Sequence, residues 1–381
     1  MFRKQSICIN ASGLLPIPPT KGGGIELVVY ELSKRMAEKG INVFVISSSS
    51  GKKREVFYNN LRFIDANIFL KSPFCIFKIL KNIDLILSEE RHNGVASLLF
   101  SRRLPVVFHI HNAYPIIARE GASLMNYGVD HAMTKTAAAI SRHVITGSNQ
   151  IKDALIGEGI PDNKVTVIPN AVDLDNFNPH VSGDAVRKKY DLTGKRVLLF
   201  VGRISPFKGL TEALKAVSML DKKFRDVTFL IVGPKFGEVY FRGLLNLVNE
   251  LDLKERVIFT GKMSHADLPQ FYAASDVFLF PTKGEGNSPL ALLEAMASGV
   301  PIISSKIPSI NEILSQGEGI LIDTRDPRDI SEAIAKLLED STTRLKLGEN
   351  ARKKAEKEFS WEVFCNKMII LLENLIISEK K

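Results

Sequence analysis

The chain has 381 residues, 45% hydrophobic and 24% charged, with a net charge of +9; that length exceeds one small core and predicts two domains. No apolar run reaches 18 residues and the start "MFRKQSICIN" has no apolar signal core, so neither a membrane-spanning helix nor secretion is expected. Cys8, Cys75 and Cys365 are scattered and form no CxxC, which excludes a zinc finger or a disulfide framework and points to a reduced, cytoplasmic setting. The charge is uneven: residues 1–150 carry 19 Lys and Arg against 10 Asp and Glu, and the remainder 32 of each. A basic face there suits an anionic membrane surface or an anionic acceptor, or is simply solvated; no basic and aromatic array supports nucleic acid.

In chain order, "SICINA" reads as a buried strand, followed by a Pro/Gly loop and the helix "IELVVYELSKRMAEKG". Val28, Leu32 and Met36 form its apolar face, and Gly40 ends it. "INVFVISS", "IDLILSE", "LPVVFHIHN" and "HVITGSN" follow as strands, with "VASLLF" and "MTKTAAAIS" reading as helices between them. After "KVTVIPNAVDLDNFNP" the cycle restarts with "KRVLLFVGR", "TEALKAVSML", "VTFLIVGP" and "YFRGLLNLVNELDL", and continues through "RVIFTG", "DVFLFPT", "PLALLEAMAS" and "VPIISS". Strands alternating with helices of this length predict parallel sheets covered on both faces, here two doubly wound α/β domains. The polar segment "DLDNFNPHVSGD" reads as the linker, and the apolar helix "SWEVFCNKMIILLENLIISEKK" is long enough to pack across a domain.

Ligands of open parallel sheets lie beyond the carboxyl ends of the strands, so the loops there are the candidate sites. "TKGGGIELV" sets three glycines before a helix, where backbone amides can meet an anion or simply turn. Neither GxGxxG nor a P-loop occurs. "FVGRISPFKGL" places Arg203 and Lys208 after a buried strand, either as a phosphate-binding pair or as solvated cations. In "VVFHIHN", His109 and His111 point the same way from one strand. With no third ligand nearby in sequence they read as hydrogen-bonded histidines rather than a metal site, and His92 is a weaker candidate. In "GEGNSPLALLEAMASGVP", Ser288 reads as an N-cap and Pro289 as the first helical residue, leaving the amides of Leu290 and Ala291 for an anion. Glu294, one turn on, suits a ribose diol, or is a buried acid bonded to backbone.

Seven stretches in order now carry a resemblance: "GGGIELVVYELSKRMAEKG", "HIHN", "VITGSNQIKDAL", "VTVIPNAVDLDNF", "FVGRISPFKGL", "VIFTGKMSHADLPQFYAASDVFLFPT" and "LALLEAMASGVPII". The chain resembles the retaining, nucleotide-sugar-dependent glycosyltransferases of family 4, over essentially its whole length. The resemblance implies the GT-B fold, two Rossmann-like domains facing a central cleft. Its expected parts are an N-terminal acceptor-binding domain over 1–178, joined by the crossover helix 361–381, and a nucleotide-sugar-binding domain over 179–360. It implies that Arg203, Lys208, the glycine loop at Gly23 and Gly24, and the amides of Leu290 and Ala291 meet the diphosphate. It places Glu294 on the ribose, His111 near the reacting sugar, Gly261 near the base, and Ser148 and Asn170 on the cleft side. No cofactor and no metal are implied; the donor is a UDP- or GDP-sugar. The acceptor is a glycan, a lipid-linked group or a small molecule, in polysaccharide, cell-envelope or glycolipid synthesis, in the cytoplasm or peripherally at the inner membrane face.

Two positions depart from the family. The family spaces its paired glutamates eight apart, whereas Glu285 and Glu294 are nine apart. Either an extra residue near Asn287 and Ser288 bulges the loop and Glu285 still reaches the donor sugar, or the first acid is absent. Ala171 stands where the family commonly has Gly. The competing readings are a nucleotide-sugar epimerase and, from another class, a non-catalytic GT-B-like binding or surface-layer protein.

Overall fold

Short runs rich in Val, Ile and Phe alternate with amphipathic segments along the chain, and many of these runs become strands buried on both faces. The computed structural model describes residues 5–11, 17, 24–47, 56–58, 60–65, 82–89, 104–111, 124–315 and 317–379. These fall into two compact units: Met1–Asn170 with Trp361–Lys381, and Ala171–Ser360. Gly23, Cys75, His92 and the run 95–100 lie outside the described residues.

In the first unit, β1 (Ser6–Asn10) leads to α1 (Gly24–Glu38), which buries Val28, Val29, Leu32 and Met36 against the sheet. Then come β2 (Asn42–Ser47), β3 (Val56–Tyr58), β4 (Leu61–Asp65), β5 (Leu85–Ser88), β6 (Val106–Ile110), α2 (Leu124–Ile140), β7 (His143–Thr146), α3 (Asn149–Gly157) and β8 (Val165–Val167). The sheet order is β3-β4-β2-β1-β5-β6-β7-β8, parallel except for the β3/β4 pair. The chain works outward from β1 in one direction and then restarts at β5 in the other. The order therefore reverses between β1 and β5, which pair directly from Ile7–Leu85 to Asn10–Ser88.

The second unit repeats the plan. Its elements are α4 (Asp184–Lys189), β9 (Arg196–Val201), α5 (Leu210–Met219), β10 (Val227–Val232), α6 (Glu238–Glu250), β11 (Val257–Gly261), α7 (Leu268–Ala273), β12 (Val277–Phe280), α8 (Leu290–Ala297), β13 (Ile302–Ser305), α9 (Pro308–Asn311), β14 (Ile320–Ile322), α10 (Pro327–Glu339) and α11 (Ser341–Glu358). The order β11-β10-β9-β12-β13-β14 is parallel throughout and reverses between β9 and β12. The last helix, α12 (Trp361–Glu379), belongs to the first unit. It buries Phe364, Met368, Leu372 and Ile376, spaced to share one face, and Lys39 at the end of α1 donates to Asn366 at 2.8 Å. No helix among the described residues is long and apolar enough to cross a membrane.

The polar segment 173–184 is not a loose linker. Its one aromatic, Phe177, is 1% exposed and sits edge-on to Tyr272 with ring centroids 5.8 Å apart. Just before it, the Val172 amide donates to the Phe359 carbonyl at 2.8 Å, and the Gly183 backbone presses against Ala274 so closely that a Cβ would fall 2.4 Å from its nitrogen. A short run of polar residues conceals one apolar anchor from a reading by composition. Replacing Phe177→Ala is expected to destabilise the second unit by about 3–5 kcal/mol, seen as a lower urea midpoint by far-UV circular dichroism; a linker residue would leave that midpoint unchanged.

Candidate active site

Where strand order reverses, the loops leaving two neighbouring parallel strands diverge and leave room at their carboxyl ends. In the second unit those strands are β9 and β12. The loop after β9 folds back tightly, because Gly209 adopts φ +66° and a Cβ there would lie 1.9 Å from the Pro281 carbonyl oxygen after β12. That approach delivers Lys208 to Glu285. The Lys208 ammonium pairs with Glu285 Oε1 and lies 5.1 Å from the Phe280 ring centroid. Thr282 donates its hydroxyl to the same carboxylate oxygen at 2.9 Å, and Ser309 donates to the Glu285 carbonyl at 2.8 Å. Glu285 is thus fixed by side chain and backbone. Arg203 is exposed, its guanidinium 5.3 Å from the Phe236 ring, and forms no ion pair among the described residues. An anion can therefore take Arg203 without breaking a pair, and competes with Glu285 for Lys208.

The helix α8 starts at Leu290, with Pro289 in the N-cap position and no side-chain cap. This corrects the expected Ser288 cap by one residue: Pro289 is extended at ψ 126°, and the Leu292 amide is the first to reach a turn carbonyl, that of Pro289 at 3.0 Å. The amides of Leu290 and Ala291 precede it on the rim of the sheet. Glu294 is 4% exposed and bonded to side chains rather than backbone. His265 Nε2 lies 2.9 Å from one carboxylate oxygen, and the Tyr272 hydroxyl donates to the other at 2.9 Å. Burial, reinforced by the Glu294 charge, holds the Tyr272 phenol well above its ordinary value, so it stays a donor. Gly261 ends β11 at φ +74° and opens the loop that carries His265.

In the first unit the reversal lies between β1 and β5, and Glu89 is the first residue beyond β5. Its amide donates to the Asn10 carbonyl at 3.0 Å. Its side chain is fully buried, with Oε2 facing two imidazoles from the end of β6. His111 Nε2 is in close hydrogen-bond contact with that oxygen; His109 Nδ1 stands 2.9 Å away but outside hydrogen-bonding angles. The two rings are 4.1 Å apart. Burial by itself would raise the Glu89 carboxyl; the charges of His109 and His111 outweigh it and hold the group down at about 2. The trio supplies the third group that sequence proximity did not. The ligand atoms of the three groups all lie within 4.8 Å of one another, so the trio has the composition and spacing of a metal-ligand set as well as of a hydrogen-bonded cluster.

The remaining candidates sit on strand ends. Ser148 follows β7, is buried, and caps α3 by accepting from the Ile151 amide at 3.3 Å. Asn170 is half-buried after β8, and Gly24 is the first residue of α1. Lys208 and Glu285 thus meet at one reversal of strand order, Arg203 lies in the same loop as Lys208 but against Phe236 after β10, and His111 stands beside the other reversal.

Family comparison places these sites in context. Residues 22–176 match the family 4 glycosyltransferase model and residues 183–354 the model for glycosyl transferases group 1. The Escherichia coli UDP-Gal:alpha-D-GlcNAc-diphosphoundecaprenol alpha-1,3-galactosyltransferase is 30% identical over 304 residues, 76% of each chain. The chain belongs to the family 4 glycosyltransferases. This glycosyltransferase is also 26% identical to spore coat protein SA of Bacillus subtilis, over 97% of its own length and 99% of the relative's. It shares its fold with the Anabaena HepE protein solved in complex with UDP, at a TM-score of 0.80 and 21% identity, covering 97% of this chain and 100% of that one.

Reading the sequence missed Glu89, Thr282, Ser309, His265 and Tyr272. Glu89 had a signal, because an acid directly after a predicted buried strand lies at the sheet's carboxyl edge. Tyr272 had none, being one aromatic among several in a helix.

The Glu89 carboxyl sits at about 2 in the folded glycosyltransferase against an ordinary 4.5. A depressed acid stabilises the fold above its unfolded value and loses that contribution as the pH falls through the folded one. The stability gap between the wild type and Glu89→Gln is therefore expected to be full above pH 5 and to close between about pH 4.5 and 2. Urea midpoints measured across that range check it; a constant gap would contradict it.

Proposed function

We propose that this glycosyltransferase moves a hexose-type sugar from a UDP- or GDP-sugar to an acceptor hydroxyl with retention of anomeric configuration. The observation that carries the reading is the loop pair at the β9/β12 reversal, where Lys208 pairs with Glu285, an exposed Arg203 follows β9, and α8 begins without a side-chain cap. The second unit is assigned the donor and the first unit the acceptor. Arg203 and Lys208, with the amides of Leu290 and Ala291, Gly23 and Gly24, take the diphosphate; Glu294 takes the ribose and Gly261 borders the base. His111 contacts the transferred sugar, while Ser148 and Asn170 help shape the site.

The chemistry follows from charge. The bond between the anomeric carbon and the β-phosphate oxygen breaks, and its electron pair stays on that oxygen. Lys208 and Arg203 stabilise the growing negative charge, the part a metal ion plays in other enzymes. The acceptor oxygen bonds to the oxocarbenium-like anomeric carbon on the face the phosphate leaves. Its proton passes to the departing phosphate oxygen. Glu285 exchanges the Lys208 ammonium for a contact with the donor sugar when the diphosphate arrives, and Thr282 keeps its carboxylate solvated meanwhile.

The relatives support a product in polysaccharide, cell-envelope or glycolipid synthesis: the Escherichia coli relative is named for a diphosphoundecaprenol-linked acceptor. The basic excess of residues 1–150 suits such an anionic acceptor and a peripheral contact with an anionic membrane. Equal partition of the protein between anionic and neutral liposomes would remove that contact from the proposal.

Incubation with a panel of UDP-, GDP- and ADP-sugars, scoring thermal shift and then sugar release or transfer, tests the reading. One donor class should stabilise the protein and be turned over. Lys208→Ala is expected to lower kcat by about a hundredfold or more with an unchanged circular dichroism spectrum. Wild-type turnover in that variant, or a wild type that binds the donor and never turns it over, would sink the assignment. The latter result would instead favour a non-catalytic binding protein.

A further inference from the structure

We infer that Glu89 is the positioning residue of His111: a buried carboxylate that fixes the orientation and tautomer of the imidazole presented to the transferred sugar. This rests on the assignment of His111 to that contact.

The geometry makes the argument. A carboxylate with 0% side-chain exposure is expensive to keep, and its Oε1 has no hydrogen-bond partner among the described residues. The strand-end hydrogen bond to Asn10 is made by the Glu89 backbone, which leaves the side chain to face the rings. What the side chain does is hold two rings. His111 follows β6 and Glu89 follows β5, and these strands pair in register from Ile86–Val106 to Ser88–Phe108. Each group therefore leaves the same sheet edge on adjacent strands. An ionised carboxylate only accepts hydrogen bonds, so the His111 nitrogen against it, Nε2, must carry the proton. In the neutral ring Nδ1 is then the acceptor nitrogen. His109, 1% exposed, packs ring-to-ring against His111 at 4.1 Å. A second group that orients a functional histidine in this manner governs activity without touching substrate.

The test is a double-mutant cycle in the full-length protein, using the donor that the panel identifies. Glu89→Gln keeps the shape and removes the charge. It is expected to lower kcat about ten- to a hundredfold, with the donor KM moving less than about threefold. In a His111→Ala background the same change should have no further effect, because Glu89 acts only through that ring. If Glu89→Gln does not fold, the cycle is run with Glu89→Asp, which keeps the charge and shortens the reach. A second readout is the imidazole nitrogen resonances of 15N-histidine protein. The His111 signals should move in Glu89→Gln, while those of His131 and His180, on other elements, stay in place.

Losses that multiply in the double variant would overturn the inference and leave His111 its role. Full activity in His111→Ala would instead overturn the role of His111, and this inference with it. A stoichiometric metal ion retained by the purified wild type and lost in Glu89→Gln would also overturn it, by showing that the trio holds an ion rather than a ring.

Discussion

The constraint on which both sites depend is the reversal of strand order in a parallel sheet. A chain that winds outward from one central strand and then restarts on its other side must send two neighbouring loops in opposite directions. Between them the ends of the strands are left uncovered, with polar backbone that neighbouring helices do not screen. In the second unit this gap lies between β9 and β12, and Lys208 and Glu285 come from the loops on its two sides. In the first unit it lies between β1 and β5, and Glu89 is the first side chain beyond it. Both units therefore place a carboxylate at the same topological address, each facing cationic or ionisable nitrogen.

The two carboxylates meet different physical conditions there. Glu285 and Lys208 keep 13% and 16% of their side-chain surface, so water and an incoming anion can reach the pair. Such a contact is exchangeable: Thr282 already gives Glu285 a second partner, and a diphosphate can offer Lys208 more charge than one carboxylate. Glu89 has no exposed side-chain surface, and nothing can replace its imidazoles without leaving a bare buried charge. The first pair suits binding and release. The second suits a fixed geometry. Glu294 stands between these extremes, buried but braced by a half-exposed His265 that links it to the surface.

The sequence shows whatever depends on local pattern. Buried strands were legible as runs of Val, Ile, Leu and Phe, and the loops after them were legible as sites because a parallel sheet leaves no other edge to bind at. Arg203, Lys208 and His111 were singled out by that route, and the structure sets each in or beside a loop at a sheet's carboxyl edge. What stayed hidden depends on contacts across the chain. Glu89 is 22 residues from His111, and only the register of β5 on β6 brings them together. The segment around Phe177 looked like a linker because its few apolar residues, Leu174, Phe177 and Val181, are outnumbered by the polar residues, Pro and Gly around them. The start of α8 shifted by one residue because Pro289 adopts an extended ψ, which a preference for Pro at the first helical position does not anticipate.

The nine-residue separation of Glu285 and Glu294 takes on a different meaning once their partners are known. A fixed spacing matters when two side chains are positioned by the same helix, since one added residue turns the second by about 100°. These two are not. Glu285 is held from outside α8, by Thr282 after β12, Ser309 in α9 and Lys208 after β9. Glu294 is held within the helical layer, by Tyr272 from α7 and His265 before it. The segment 286–289 connects two independently anchored points, and its length changes the path of the connection without moving either end. The position of Glu285 is therefore set by its pairing with Lys208 rather than by its distance from Glu294 along the chain.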